Sequence, residues 1–258
     1  MIAALKRILA DPLTRGLDQD DPETTRRRRT IVRTKHFLRL IYQDWYERIC
    51  HHLPSGDGAV LELGSGPGFL REYIPSLISS ELLACPGVDL ICNGQELPFA
   101  PHSLRCIVLI DVLHHMPAPR DFLMEACRCL RAGGKILMIE PWVTPWSTFV
   151  YQNLHHEPFL PDAPEWAAPR GGPLSGANGA LPWILLQRDR SRFDAEMPAL
   201  HVQRIEPFMP FRYLVSGGVS LRTLVPAATF GLWTRLENGM APWMDWWAMF
   251  AFVAISKR

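Results

Sequence analysis

Three glycines at alternate positions, with an acidic residue two places before them, are the residues of this sequence best suited to chemistry. The segment reads Glu62-Leu63-Gly64-Ser65-Gly66-Pro67-Gly68, and a short apolar run, Ala59-Val60-Leu61, leads into it. Glycines permit the φ values and the close backbone approach that a ligand-binding turn needs. The first turn of a following helix adds unpaired N–H groups. The pattern therefore predicts a buried strand followed by a turn that holds a nucleoside-type ligand.

The spacing distinguishes this turn from the one that binds dinucleotides. Dinucleotide-binding folds use the pattern GxGxxG, whereas Gly64, Gly66 and Gly68 follow GxGxG and Phe69 occupies the next position. The carboxylate of Glu62 suits a cationic or hydrogen-bond-donating ligand better than a phosphate. A nicotinamide-dependent oxidoreductase is therefore the less favoured alternative.

Two pairs of adjacent histidines are the candidates for acid–base chemistry. One pair is His114-His115, and the other, His155-His156, precedes Glu157. The ordinary pKa of an imidazole suits general-base catalysis. Adjacent histidines in a strand or loop point apart, so we expect no metal site at the second pair or elsewhere. The predicted catalytic residues are His155, His156 and His114, and the alternative for His114 is that it only shapes its loop.

Strands and helices alternate around the glycine turn. Apolar side chains recur at helical spacing over residues 25–53, and residues 69–74 and 121–130 also favour helices. Strands are predicted at residues 59–61, 77–78, 88–92, 107–110, 135–139, 200–205 and 249–256. The fold class is therefore α/β, a Rossmann-like, doubly wound, mostly parallel sheet with an antiparallel C-terminal strand.

Two segments outside this alternation are expected to cover the sheet. Residues 1–54 are predicted to form an N-terminal helical cover, and residues 55–258 the main domain. Within that domain, residues 141–182 are rich in Pro, Gly and Trp and show little periodicity. They predict a lid over the carboxyl edge of the sheet, where such folds bind ligands.

Composition limits the partners that this chain can have. The net charge of +1 gives no general attraction to nucleic acid, and no segment reaches the roughly 18 apolar residues of a membrane span. The six cysteines form no CxxC pair, and the N-terminal apolar stretch is too short for a secretory signal, so we expect a reduced, cytoplasmic protein.

The basic run Arg26–Arg29 is interpreted as a solvated helix face or as a patch for an anionic group. Buried packing is the default interpretation of Trp233, Trp243, Trp246 and Trp247, and an interfacial surface that permits peripheral membrane contact is the alternative.

Four segments in order resemble the motifs of class I S-adenosylmethionine-dependent methyltransferases, of the small-molecule type with Leu-Pro-Phe and Leu-His-His motifs. Val60–Gly68 is similar to the family's first motif. The other three are Asn93-Gly94-Gln95-Glu96-Leu97-Pro98-Phe99, Asp111-Val112-Leu113-His114-His115 and Leu130-Arg131-Ala132-Gly133-Gly134-Lys135. The resemblance covers residues 59–141 and implies S-adenosylmethionine as cofactor and S-adenosylhomocysteine as co-product.

The resemblance also implies which residues hold the cofactor. The glycine turn, with Ser65, would pass close to the methionine part, and Glu62 would help to position that part. An acidic residue after the second strand would hold the ribose, for which Glu81 and Asp89 compete and Glu81 is favoured. Asn93, Gly94 and Gln95 would face the adenine, although the family usually has Asp at the position of Asn93. Ile110 and Asp111 would border the methionine end.

The predicted reaction is methyl transfer to an O, N or C nucleophile of a small or amphiphilic molecule, with O-methylation favoured. A non-catalytic module that only binds S-adenosylmethionine is the main alternative. The base-flipping signature of nucleic-acid methyltransferases does not follow the fourth strand, so a nucleic-acid acceptor is not expected. The sequence leaves the acceptor and the oligomeric state open.

Overall fold

Seven strands form one sheet in the computed structural model, which describes residues 9–14, 18, 20–155, 157–169, 171–172 and 175–258. The strands are β1 (Ala59–Leu63), β2 (Leu77–Glu81), β3 (Leu90–Ile91), β4 (Leu104–Ile110), β5 (Leu130–Pro141), β6 (Leu200–Phe208) and β7 (Phe250–Lys257). Their order is β3-β2-β1-β4-β5-β7-β6. The first five strands pair in parallel, and β7 lies antiparallel between β5 and β6. The predicted α/β fold with its antiparallel C-terminal strand is confirmed.

Helices cover both the sheet and its carboxyl edge. Those of the described chain are α1 (Pro22–Thr34), α2 (His36–His52), α3 (Pro119–Cys129), α4 (Pro145–Leu154), α5 (Leu181–Trp183), α6 (Arg190–Glu196), α7 (Arg212–Ser216), α8 (Phe230–Gly239) and α9 (Met244–Trp247). Short 3-10 turns add Pro12–Thr14, Leu70–Glu72, Leu113–His115, Ala227–Thr229 and Ala241–Trp243, and a π-helical turn spans Ile184–Arg188. No helix within the described residues is long and apolar enough to cross a membrane.

The N-terminal cover consists of two helices rather than the single one that periodicity predicts. Asp21 caps α1 by accepting from the backbone N–H of Glu23, and Pro22 starts the helix. Lys35 then leaves the helical conformation with a ψ of 93°, which separates α1 from α2. The apolar spacing continues across this break, which is why the sequence does not reveal it. Buried side chains of α2 pack as a continuous stripe on the sheet side, among them Phe37, Ile41 and Trp45.

The helix predicted after the glycine turn is only a single 3-10 turn, Leu70–Glu72, because Pro75 follows closely and β2 begins at Leu77.

Strand β5 begins at Leu130, five residues before its predicted start at residue 135. Its pairing with β4 is irregular opposite Leu104 and Cys106. Strand β5 therefore extends further at its N-terminal end than the apolar run alone indicates.

The described part of the segment predicted as a lid contains helix α4, the start of α5 and irregular chain between them. Thr144 and Ser147 form a reciprocal capping box at the start of α4. The rest is anchored by Asn178, a fully buried residue whose backbone N–H donates to the carbonyl of His114 at 2.9 Å. The side-chain oxygen of Asn178 accepts from Leu160 N–H at 2.9 Å. This packing ties the segment to the loop that follows β4.

Candidate active site

The glycine turn after β1 is folded tightly against the loop that follows β4. Gly64 and Gly66 have φ values of 62° and 47°, in the region that favours glycine. A Cβ at Gly64 would lie 2.7 Å from a methyl carbon of Val112, so no other residue fits there without a shift. The N–H of Ser65 donates to the carbonyl of Ser80 at 2.9 Å, and that of Gly68 donates to Ser65 at 2.8 Å. Backbone bonds thus help to hold the turn, and Gly64 and Gly66 present no side chain to a ligand.

Glu81, at the end of β2, faces this turn directly. Its carboxylate accepts a hydrogen bond from the backbone N–H of Gly66. Burial raises the pKa of Glu81. Asp89, the competing candidate for the ribose, lies elsewhere: its carboxylate accepts from the N–H of Ser79 at 2.9 Å and pairs with Arg71.

Glu62 is buried beneath the turn, with 4% of its surface exposed. Burial raises the pKa of Glu62 to about 7, because an isolated carboxylate is poorly solvated there. Nearby, the hydroxyl oxygen of Tyr46 accepts from the N–H of Phe69 at 2.8 Å. This arrangement supports the turn from below.

A cavity of about 1160 Å³ opens along the carboxyl edge of the sheet. Eight of the eleven predicted cofactor residues line it, namely Gly64, Gly66, Glu81, Asn93, Gly94, Gln95, Ile110 and Asp111. Glu62, Ser65 and Gly68 are not part of its wall. Pockets for one small ligand have volumes of roughly 300–1,000 Å³, so this cavity has room for a nucleoside cofactor and a second molecule.

The basic run of α1 divides its contacts between the surface and the cavity. Arg26 and Arg27 pair with Glu23 on the surface of the helix. Arg29 donates to the carbonyl of Gly66 at 3.0 Å, and so secures the glycine turn. Arg28 lines the cavity and places a positive charge there. Arg26 and Arg27 thus lie on a solvated helix face, whereas an anionic partner for Arg28 stays a prediction.

Five side chains at the ends of β4 and β5 and in the lid meet beside the cavity, and we call them the carboxylate–histidine cluster: Asp111, His114, His115, Glu140 and Glu157. Glu140, with 0% exposure, is its anchor. One oxygen of Glu140 accepts from the N–H groups of Val112 and Leu113, and the other lies 2.8 Å from Nδ1 of His114. The remaining nitrogen of His114, Nε2, lies 3.6 Å from Glu157 and 4.0 Å from Asp111.

The charge of His114 is determined by these carboxylates. Burial alone would lower the pKa of His114, but the hydrogen bonds to Glu140 and Glu157 outweigh burial and raise the pKa well above its ordinary value. A protonated ring at neutral pH has no lone pair with which to accept another proton. His114 is also closed in, with 1% exposure. In this ligand-free state His114 holds Glu157 in place.

His115 differs from its neighbour because it borders the cavity. Its Nδ1 lies 3.3 Å from the carbonyl of Gly176, which requires the proton on Nδ1 and leaves the lone pair on Nε2. Burial, with the nearby charge of His114, lowers the pKa of His115 to about 3. The ring is therefore neutral at physiological pH.

Of the second histidine pair, His155 lines the cavity, whereas His156 lies outside the described residues. Nδ1 of His155 accepts from the N–H of Glu157 at 3.3 Å. The Glu157 carboxylate lies 3.8 Å from the same nitrogen. The structure thus brings His155 and His114 to two sides of one carboxylate, although they are 41 positions apart in the chain.

Aromatic side chains form the part of the cavity wall next to this cluster. Tyr151 stacks on Phe159 with ring centroids 4.8 Å apart, and Tyr213 meets Phe250 edge to face at 4.9 Å. Tyr42 of α2 is buried and also lines the cavity. We call this set the aromatic wall. Tyr151, Tyr213 and Phe250 could not be recognised from the sequence, because they lie on three distant elements and none belongs to a local motif.

Comparison with known proteins agrees with this geometry. Residues 61–138 match the family described as a methyltransferase domain. An uncharacterized protein from Methanocaldococcus jannaschii is 31% identical over 107 residues, which are 38% of this chain and 51% of the relative. The chain therefore spans about half the length of the curated relative that it matches.

Two solved structures share the fold over almost the entire chain. Geranyl diphosphate C-methyltransferase from Streptomyces coelicolor A3(2), in complex with Mg²⁺, geranyl diphosphate and S-adenosyl-L-homocysteine, is 13% identical with a TM-score of 0.53, covering 100% of this chain and 98% of that one. A putative methyltransferase from Haloferax volcanii, in complex with the Trm112 methyltransferase activator, is 15% identical with a TM-score of 0.50, covering 93% and 96%. At these identities the likeness concerns the fold.

The family match over residues 61–138 and the fold support a class I S-adenosylmethionine-dependent methyltransferase. Both findings agree with the family and the cofactor that the sequence predicts. The glycine turn, the acidic end of β2 and the loop after β4 occupy the positions at which that cofactor is expected.

Proposed function

We propose that this protein transfers the methyl group of S-adenosylmethionine to a small or amphiphilic acceptor, with O-methylation as the favoured reaction and S-adenosylhomocysteine as co-product. The observation that carries the proposal is a single cavity that joins the glycine turn to the aromatic wall. Its volume accommodates a donor and an acceptor side by side. The carboxylate–histidine cluster lies next to both.

The cofactor is proposed to lie along the carboxyl ends of β1, β2 and β4. The bare backbone at Gly64 and Gly66 admits the methionine part, and Glu81 accepts hydrogen bonds from the ribose hydroxyls. Asn93, Gly94 and Gln95 enclose the adenine; the side-chain oxygen of Asn93 already accepts from the N–H of Gln95 at 3.0 Å, which shapes that loop.

Methyl transfer depends more on how the acceptor is positioned than on a strong acid or base. A sulfonium is a reactive methyl donor, so holding the acceptor oxygen in line with the methyl carbon and the sulfur supplies much of the rate. As the new C–O bond forms, the C–S bond breaks and its electron pair returns to sulfur. The acceptor hydroxyl must also release its proton, and Glu157 and His155 stand on the cavity wall where that proton would leave.

The proposed acceptor class follows from the character of the wall. Aromatic rings bury apolar surface, so a molecule with an apolar body and a polar reacting end suits the cavity. An amphiphilic acceptor also agrees with exposed aromatic side chains at the surface, where Trp243 and Trp246 are more than half exposed. The acceptor of the Streptomyces enzyme, geranyl diphosphate, is amphiphilic as well.

The test has two stages. Calorimetry of the full chain with S-adenosylmethionine, and with NAD as comparison, measures whether the cofactor binds. Transfer of a labelled methyl group is then followed by mass spectrometry against hydroxylated, amine-bearing and alkene-bearing amphiphiles. We expect binding of S-adenosylmethionine alone and labelling of a hydroxylated acceptor. Absence of binding would refute the proposal, and binding without transfer to any acceptor would favour the non-catalytic alternative.

The catalytic histidines have their own test in the same assay. His155→Ala and His156→Ala are each expected to slow transfer without changing the affinity for S-adenosylmethionine, because these residues are proposed to face the acceptor. Full turnover in both variants would remove the acid–base role of this pair. His201→Ala, on the exposed side of β6, is the matched control.

A further inference from the structure

Three members of the carboxylate–histidine cluster stand at the spacing of metal ligands. His114, His115 and Glu157 each offer one ligand atom, and these three atoms lie within 4.8 Å of one another. Nε2 of His114 is 3.6 Å from the Glu157 carboxylate. Two ligands held at about 2.1 Å by a tetrahedral ion are roughly 3.4 Å apart, so an ion fits between these atoms with little movement.

Both imidazoles are oriented as metal-binding histidines are. A histidine ligand usually donates its second ring N–H to a carboxylate or a backbone carbonyl, which fixes the ring and the tautomer. Here Nδ1 of His114 is bonded to Glu140, and Nδ1 of His115 to the carbonyl of Gly176. In His115 this leaves Nε2 to bind an ion, and in His114 the ion would replace the proton that Nε2 shares with Glu157.

The charge around the site suits a cation. Three carboxylates, those of Asp111, Glu140 and Glu157, surround the His114 ring. Arg28 also lines the cavity and is close enough to act on Asp111 and His115, but the carboxylates outnumber it. Asp111 has a φ of 62°, an unusual value for a non-glycine residue that turns its carboxylate toward the cluster. Its oxygen lies 4.0 Å from Nε2 of His114 and is a candidate fourth ligand.

We propose that this cluster binds one divalent first-row transition-metal ion, with His114, His115 and Glu157 as ligands and Glu140 as the residue that orients His114. Two imidazoles and a carboxylate favour Zn²⁺ or Mn²⁺ over Mg²⁺, which prefers oxygen ligands alone. The prediction from the sequence was that no metal site exists, because the ligands lie on two segments that only the fold brings together.

The site is open on the side where the acceptor is expected, since His115 and Glu157 line the cavity. An acceptor hydroxyl bound to the ion would lose its proton more readily, because a metal ion lowers the pKa of a bound O–H group. Because Glu157 would be bound to the ion, the proton would pass to His155 on the same cavity wall. The acceptor oxygen would attack the methyl carbon as the C–S bond breaks and its electron pair returns to sulfur, and the ion would keep its oxidation state. This role of the ion rests on the proposed function, whereas the binding site does not.

Metal binding is tested on the tag-free full chain after treatment with a chelator. Titration calorimetry with Zn²⁺, Mn²⁺ and Mg²⁺ should show one equivalent of Zn²⁺ or Mn²⁺ and weaker binding of Mg²⁺. Glu157→Gln and His115→Ala are expected to weaken binding of the preferred ion by at least about 10-fold, as losses at metal sites commonly do. His201→Ala, an exposed histidine far from the cavity, should leave the affinity unchanged.

A spectroscopic measurement shows whether the ion sits at the proposed ligands. Co²⁺ bound by the protein should give visible absorption bands that change in His115→Ala and not in His201→Ala. Circular dichroism checks that each variant is folded, and Glu157→Gln, which keeps the shape of the side chain, serves if His115→Ala does not fold.

Failure of this inference and failure of the proposed function give different results. The inference is overturned if no ion binds stoichiometrically, or if binding is the same in Glu157→Gln and in the parent protein. Metal-free protein that still binds S-adenosylhomocysteine and transfers methyl groups at the full rate would keep the proposed function and remove the catalytic role of the ion. Stoichiometric metal binding without any binding of S-adenosylmethionine would keep the metal site and refute the proposed function.

Discussion

Glu81 and Asp89 show how placement separates two carboxylates that look equivalent in the sequence. Both follow the apolar start of β2 within a dozen residues. Glu81 meets the glycine turn on the cavity wall, while Asp89 is engaged by Ser79 and Arg71. The backbone at the end of β2 determines this difference, because Asp89 turns back to bond the N–H of Ser79.

Replacement of Glu81 tests this distinction. Glu81→Gln should weaken binding of S-adenosylmethionine by about 10- to 100-fold, since hydrogen bonds to a charged group contribute about 1.5–3 kcal/mol. Asp89→Asn is the matched control and should leave the affinity almost unchanged. Titration calorimetry measures both. Equal losses in the two variants would argue against Glu81 as the ribose ligand.

Because the pKa of Glu62 is raised, we expect the stability of the ligand-free protein to depend on pH. Its pKa is about 7 in the folded chain against 4.5 for the free group, so the folded state retains this proton more tightly. Stability from this group is therefore fully present below a pH of about 4.5 and is lost as the pH rises to about 7. The loss amounts to roughly 3 kcal/mol at most.

Glu62→Gln should remove that dependence, because an amide does not titrate. Urea unfolding between pH 5 and pH 8 should show the variant gaining stability over the parent protein as the pH rises, on the order of 1–3 kcal/mol at the upper end. Asp57→Asn, in the exposed loop before β1, is the control. Parallel pH curves for Glu62→Gln and the parent protein would contradict the assignment.

At the scale of elements, the parallel strands are the most predictable part of this protein. Strands β1 and β4 are continuous apolar runs because both of their faces are buried, and such runs are visible in the sequence. The edge strand β3 is only two residues long, and its Ile91 is exposed, so its predicted length was too great. Helix α4 was missed because it has few turns and lies in a segment rich in Pro and Trp.

The glycine turn can be tested against a second glycine of similar backbone conformation. Gly64 and Gly133 both have positive φ, at 62° and 72°, but a Cβ would meet Val112 at Gly64 and nothing within 4 Å at Gly133. Gly133→Ala should cost about 1–2 kcal/mol of stability for the left-handed backbone alone. Gly64→Ala should cost a further 1–3 kcal/mol or so for the steric overlap.

The two variants should also differ in ligand binding. Gly64→Ala is expected to weaken S-adenosylmethionine binding, while Gly133→Ala, which is remote from the cavity, is not. Urea unfolding and calorimetry give the two quantities. Equal destabilisation by both substitutions would show that Val112, in the loop after β4, moves to accommodate the added methyl group.

At the scale of the whole molecule, a buried ion pair joins the C-terminal region to the N-terminal cover. The guanidinium of Arg212 lies 2.5 Å from Glu237 and 2.8 Å from Asp44 of α2. Glu237 also accepts from the N–H groups of Phe211 and Arg212 at the start of α7. This arrangement positions Tyr213, and with it one side of the aromatic wall.

Breaking that pair should loosen the wall and destabilise the protein. Glu237→Ala leaves a buried guanidinium with only part of its partners, and the expected loss is about 3–5 kcal/mol of the free energy of unfolding. Asp245→Ala, an exposed carboxylate in α9, should change stability by less than about 0.5 kcal/mol. A small effect of Glu237→Ala would show that Asp44 alone holds Arg212.

The domain boundary predicted at residues 54 and 55 stays a prediction. Side chains of α2 form one core with β7 and α7: Trp45 contacts both Tyr213 and Phe250, with ring centroids 5.8 Å and 5.3 Å apart. The cover is thus packed on the sheet through aromatic side chains rather than attached at a single point.

The sequence by itself determined the sheet, the glycine turn and the class of cofactor. Each of these depends on neighbours along the chain: apolar runs produce buried strands, and closely spaced glycines allow one tight turn. Only the tertiary structure decided how the acceptor side is built. Glu140, Glu157, His114 and the aromatic wall come from β5, the lid, the loop after β4, α2, α7 and β7, and no local pattern links them. Their contacts arise because the carboxyl ends of parallel strands meet at one edge of the sheet, which lies under the lid.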